Sequence, residues 1–83
     1  MSSLTELMAA LRATEAKLDE ANRGLTAGRR SLAEAKVALA KLDPDHPETV
    51  VPAGMSHADD QLERTQAAVA HVVDTLRTYA AGL

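Results

Sequence analysis

The sequence predicts an all-α fold, a long antiparallel two-helix hairpin of coiled-coil character, and three observations predict it. Leucine recurs at every seventh position through Leu4, Leu11, Leu18, Leu25, Leu32 and Leu39. All three prolines, Pro44, Pro47 and Pro52, fall in one short stretch. A second seven-residue series then follows at Met55, Leu62, Val69, Leu76 and Leu83. An apolar residue every seven places lies on one stripe of a helix, and a sustained repeat of that period marks helices wound against a partner.

The first helix is expected over 3–42. Ser3 with Glu6 three residues on has capping-box spacing, and Asp19 and Arg23 form a favourable i,i+4 pair. With the leucines at one seam position, the companion three residues on reads Leu7, Thr14, Ala21, Gly28, Ala35 and Leu42. Large residues thus alternate with small ones, and a bulky neighbour is expected to fill the place at Gly28. Gly24 and Gly28 each cost ~1 kcal/mol relative to Ala inside a helix. A break within Asn22–Gly28, giving three short helices, is the alternative. The leucine phase passes from Leu18 through Leu25 to Leu32 unshifted, and a loop has no reason to preserve it.

A connection is expected over 43–55, because each proline restricts its predecessor to extended geometry. Val50 and Val51 are placed to plug the end of the core. The second helix is expected over 56–82, with Ser56 and Asp59 in capping spacing, Asp60 favouring its N-terminus, and Gly82 at its end. Its companion positions read Ala58, Thr65, Val72 and Tyr79, with Val73 and Ala80 beside them. Tyr79 is assigned to the seam beside Ala21, its hydroxyl reaching solvent or Asn22. Residues 1–83 make one domain.

Charge supports the fold-back. Residues 29–41 carry Arg29, Arg30, Lys36 and Lys41 against Glu34, whereas residues 43–63 carry Asp43, Asp45, Glu48, Asp59, Asp60 and Glu63 with no Lys or Arg. Arg29–Arg30 could bind an anion, but adjacent helical positions point about 100° apart, so pairing with the acidic second helix is preferred. The expected register sets Leu39 by Leu62, Leu32 by Val69, Leu25 by Leu76 and Leu18 by Leu83. The longer first helix then leaves Leu4, Leu7, Met8 and Leu11 uncovered. Burying each such side chain contributes ~1.5–3 kcal/mol, and soluble monomers seldom expose large apolar patches. These four are therefore the expected interface, closed by a second copy into a four-helix bundle or by a helical protein partner.

Other classes are disfavoured. Seventeen alanines, one tyrosine and no Phe or Trp leave little surface to line a small-molecule pocket. No cysteine is present, which removes disulfides and fits a reducing compartment. Nucleic acid needs a concentrated basic face, which a net charge of −3 does not offer. No apolar run is long enough to span a membrane, and Met1–Ser2–Ser3 lacks the basic start of a signal peptide, so a cytoplasmic location is expected. His46, His57 and Asp59 with Asp43, Asp45 or Glu48 could be imagined as a metal site. Most of them sit in the connection without fixed geometry, so solvated loop and capping roles are preferred and no cofactor is expected. His71 falls on the outer face. Hydroxyls such as Thr26 and Ser31 lack a nearby His to activate them, and the chain is not expected to be an enzyme.

The His46-Pro47-Glu48-x-Val50 turn, the Ala/Leu heptads and the Tyr79-Ala80-Ala81-Gly82-Leu83 ending resemble a group of small uncharacterised actinobacterial helical-hairpin proteins. More distantly, the plan is similar to the hairpin substrates of type VII secretion named for their Trp-x-Gly turn. This chain has no Trp in its connection, and Tyr79 is followed four residues on by Leu83 where that family's export signal has an acid. The resemblance implies a hairpin and, through the second family, dimers and export partners. The functional expectation is a non-enzymatic scaffold or adaptor that self-associates, with a chaperone-like or export partner for another protein's helix as the alternative.

Overall fold

Two helices side by side account for almost the whole chain. The computed structural model describes residues 3–83; the reading of Met1 and Ser2 lies outside them. Helix α1 runs from Ser3 to Ala40 over 38 residues, and α2 from Ala53 to Ala81 over 29. They form a hairpin 66 Å long and only 15 by 14 Å across. Its radius of gyration, 19.0 Å, far exceeds the roughly 12 Å of a compact chain of this length.

Helix α1 does not break at Asn22–Gly28. The glycines serve no packing need of the hairpin itself, since a Cβ at Gly24 or Gly28 would meet nothing within 4 Å. The bulky neighbour expected to fill the place at Gly28 is absent from the hairpin. What carries the helix through is Leu25 between them, half-buried like Leu18 and Leu32.

The connection lies two to three residues earlier than 43–55, at 41–52. Helix α1 ends at Ala40, and the Leu42 N–H donates to the Leu39 carbonyl at 3.0 Å. The Asp43 carboxylate accepts from the His46 N–H and the Thr49 hydroxyl, and the Pro47–Thr49 segment makes one 3-10 turn begun by its proline. Val50 and Val51 are half-buried at this end. Helix α2 starts three residues before Ser56: Pro52, at φ −59° and ψ 138°, stands at its N-cap, and the Met55 N–H donates to the Pro52 carbonyl. Ser56 and Asp59 are not its caps, because both side chains are engaged across the hairpin. Ser56 Oγ accepts from Lys36 Nζ at 3.1 Å, and Asp59 accepts from Arg29.

Burial identifies the seam. Half-buried residues of α1 alternate at steps of three and four through Met8, Leu11, Glu15, Leu18, Asn22, Leu25, Arg29, Leu32, Lys36 and Leu39. Those of α2 run Met55, Asp59, Leu62, Gln66, Val69, Val73, Leu76 and Ala80, of which Val73 alone is fully buried, at 3% exposure. Lettered so that a and d face the companion helix, the leucines of α1 are d and Glu15, Asn22, Arg29 and Lys36 are a. The seam therefore lies on the other side of the leucine stripe from the one expected. Leu7, Thr14, Ala21, Gly28 and Ala35, with Ala58, Thr65, Val72 and Tyr79 in α2, occupy position g outside it, Gly28 and Ala58 half-buried and the others exposed. Tyr79 is 53% exposed and Val72 46%, and Leu42, past the end of α1, is 72% exposed. Either side fits a three-four spacing; polar side chains that find partners across the hairpin decide between them.

The register also differs from that expected. Lys36 meets Ser56, Arg29 meets Asp59, Asn22 meets Gln66 and Glu15 meets Arg77. Leu18 is thereby level with Val73 rather than Leu83, because α2 packs beside α1 from its very first turn. Helix α2 consequently reaches back to about the level of Leu11. Of the four expected interface residues, Met8 and Leu11 are half-buried, whereas Leu4 and Leu7 remain 48% and 37% exposed.

Removing two methyl groups from the fully buried Val73 side chain tests this packing. Val73→Ala should lower unfolding free energy by about 2 kcal/mol. Val37→Ala, at a site 57% exposed, should change it by less than ~0.5 kcal/mol. Denaturant titration followed by circular dichroism reads both.

Candidate functional site: a polar seam beside an uncharged flank

The middle of the seam is polar, and its members satisfy one another across the two helices. Arg29 Nε donates to Asp59 Oδ1 at 2.9 Å and its Nη2 to Oδ2 at 3.3 Å, the two-pronged geometry that suits a planar guanidinium. Its Nη1 donates to Gln66 Oε1 at 3.0 Å, and Nη2 lies 3.8 Å from Glu63. Gln66 Nε2 in turn donates to Thr26 Oγ1 at 2.7 Å and to the Asn22 carbonyl at 3.3 Å. The Asn22 amide answers by donating to the Gln66 carbonyl at 3.4 Å. Asn22 Oδ1 is buried without a partner, a loss of about 1–3 kcal/mol for such a group. Nearer the open end, Arg77 reaches Glu15 at 3.4 Å and Asp19 at 3.6 Å. Asp19 thus turns across the seam rather than toward Arg23.

These bonds also define which sides of the helices face together. Thr26 and Asp19 in α1 and Ser56, Glu63 and Arg77 in α2 all occupy position e, so the e positions of both helices share one flank. That flank continues at position b with Arg23 and Arg30 in α1 and Asp60 and Asp74 in α2. The opposite flank, formed by positions g and c, is different in kind. In α1 it carries Ala10, Gly24, Ser31 and Ala38 beside the g residues named above, with Lys17 its one charge. In α2 it carries Gln61, Ala68 and Thr75 beside Ala58, Thr65, Val72 and Tyr79, with no charge at all. An open, largely apolar groove on this flank is lined by Leu18, Thr65, Ala68, Val69 and Val72, with Arg64 at its border.

The expected site residues distribute as follows. Leu4 and Leu7 stand exposed at the open end, with Tyr79 and Leu83, 48% exposed, at the same end of α2. Arg29 contacts the acidic residues of α2, while Arg30 is exposed on the charged flank. Among the described residues, one set of three potential metal ligands comes together, Asp59, Asp60 and Glu63, with ligand atoms within 4.8 Å of one another. It contains neither His46 nor His57, and the Arg29 guanidinium already lies against two of its carboxylates. His46 instead lies 3.6 Å from Glu48 within the connection. His71 is exposed. Among the described residues, no helix is long and apolar enough to cross a membrane.

Sequence reasoning missed Glu15, Asn22 and Gln66. The signal was present: Glu15, Asn22, Arg29 and Lys36 recur every seven residues, as do Asp59 and Gln66. Compared with protein-family models, curated proteins and solved structures, the chain matches none.

The hydrogen bond from Arg29 holds the Asp59 carboxyl below its ordinary value, against the opposing pull of partial desolvation. A carboxylate with a depressed folded-state pKa contributes stability above its unfolded pKa, and that contribution disappears as pH falls through the folded value. Asp59→Asn should therefore lower the thermal midpoint at neutral pH. It should also flatten the fall of that midpoint between roughly pH 5 and pH 2, as read by thermal melts across that range.

Proposed function

We propose that this chain is a non-enzymatic helical scaffold or adaptor that works by self-association, two hairpins combining into a four-helix bundle. One observation carries the reading: among the described residues the hairpin alone buries a single side chain fully while large apolar residues stay exposed. Chains this short seldom derive more than ~3–5 kcal/mol from their own core. Here the seam spends much of its length on Glu15, Asn22, Arg29 and Lys36, which contribute little apolar burial. The exposed surface, 5993 Å², exceeds by about 1,200 Å² that of a compact protein of this mass. Association is the ordinary way for such a chain to remove apolar area from water.

The exposed group Leu4, Leu7, Tyr79 and Leu83 at the open end favours a second reading, a chaperone-like or export partner that holds another protein's helix there. The two readings part on the state of the purified protein. Sedimentation equilibrium across the micromolar range should return twice the chain mass of 8.8 kDa. A mass of 8.8 kDa throughout contradicts self-association and leaves the second reading. Leu4→Asp with Leu7→Asp should weaken the dimer by roughly tenfold if the overhang joins the interface.

A further inference from the structure

The open end is the more visible apolar cluster, but the flank made by positions g and c is the more extensive. The two sides of the hairpin are unlike. One carries Asp19, Arg23, Arg30, Asp60, Glu63 and Arg77; the other has Lys17 as the one charge at its g and c positions, with Arg64 at the border of its groove. Water solvates the first well, and the second has no such claim on it.

The apolar stripe of each helix is also off-centre with respect to the seam. In the middle of α1 the d leucines have polar a residues on one side and small uncharged g residues on the other. Their most apolar direction thus points between the seam and the free flank. Apolar residues at d together with g, rather than at a and d alone, suit a helix that touches two neighbours in a bundle. The hairpin supplies one neighbour.

We propose that the g and c flank is the docking surface for a second copy of this chain, laid side by side along its length. The inference rests on the self-association reading and names the surface that performs it. Area supports the occupant. The two-helix part of the flank, roughly 43 Å long over the 29 residues of α2 and 15 Å wide, offers on the order of 650 Å² per partner, within the roughly 600–1,000 Å² of a standard stable interface. Charge supports it too: a nearly uncharged face meets its own two-fold copy without like-charge repulsion, and both charged flanks then face solvent. Gly24 and Gly28 acquire a role in this arrangement. A side chain at either meets nothing within the hairpin, so their smallness serves an approach from outside, between Leu18 on one side and Leu32 on the other.

Substitutions that leave the hairpin intact test the flank. Gly28→Leu replaces a poor helix former by a good one and projects into open space, so helicity by circular dichroism should hold or rise. The dimer dissociation constant should nevertheless increase roughly tenfold or more. Ala21→Glu with Ala68→Glu, on the uncharged flank, should do the same, whereas the matched pair Ala16→Glu with Ala67→Glu, on the charged flank, should leave the dissociation constant within about threefold of the parent. A parent dimer that both flank variants leave unchanged, or that the Ala16/Ala67 pair dissociates instead, overturns the flank while self-association stands. A parent protein that is monomeric overturns both, and one that purifies as a one-to-one complex with a different chain overturns the second copy as occupant.

Discussion

The bidentate grip of Arg29 on Asp59, continued through Gln66 to Asn22, is the constraint from which the rest of the hairpin follows. A guanidinium held by three side chains of α2 admits one rotation of α1 about its axis and one register along it. Sliding the helices by a heptad would move these groups ~10 Å apart and leave charged and amide groups unpaired in the seam. Such layers contribute less to stability than well-packed leucines would, and their attested use is to specify register. The buried Asn22 Oδ1 without a partner fits that view. This middle of the seam is arranged for a unique alignment more than for maximal burial.

Once the rotation is set, the remaining surface is sorted by chemistry. Leu11, Leu18, Leu25, Leu32 and Leu39 lie at the edge of the seam, half-buried, and among the described residues Val73 is the one side chain closed off from water. Ion pairs such as Arg77 with Asp19 collect on one flank, while Gly24, Gly28 and uncharged residues such as Ala21, Thr65 and Ala68 line the other. A hairpin whose polar groups converge inward and to one side has an outward face with few groups for water to bind. That distribution, rather than composition alone, connects the fold to the association proposed for it.

Much of the architecture was legible in the residues. The leucine period required a helix long enough to display it, the three prolines placed the turn, and the unshifted phase across Gly24 and Gly28 favoured an unbroken helix. The side of the stripe that forms the seam was not legible from apolar counting. Ala21, Gly28 and Ala35 look better suited to a helix contact than Asn22, Arg29 and Lys36, and only the partners supplied by Ser56, Asp59 and Gln66 reverse the preference. The register followed the same error. Matching leucine to leucine set Leu18 by Leu83, whereas the start of α2 directly after Pro52 and the Arg29 contacts bring Leu18 level with Val73. The expected overhang accordingly shortened, with Met8 and Leu11 drawn into the seam. The residues misread as seam are those that form the uncharged flank.

Small-angle X-ray scattering of the purified chain measures mass and length together, and so tests this view of the molecule most directly. Two hairpins lying flank to flank should double the scattering mass while the longest dimension stays close to the 66 Å of one hairpin. A doubled mass with a longest dimension approaching twice that length would place the contact at the open end instead, and a single-chain mass would contradict association altogether.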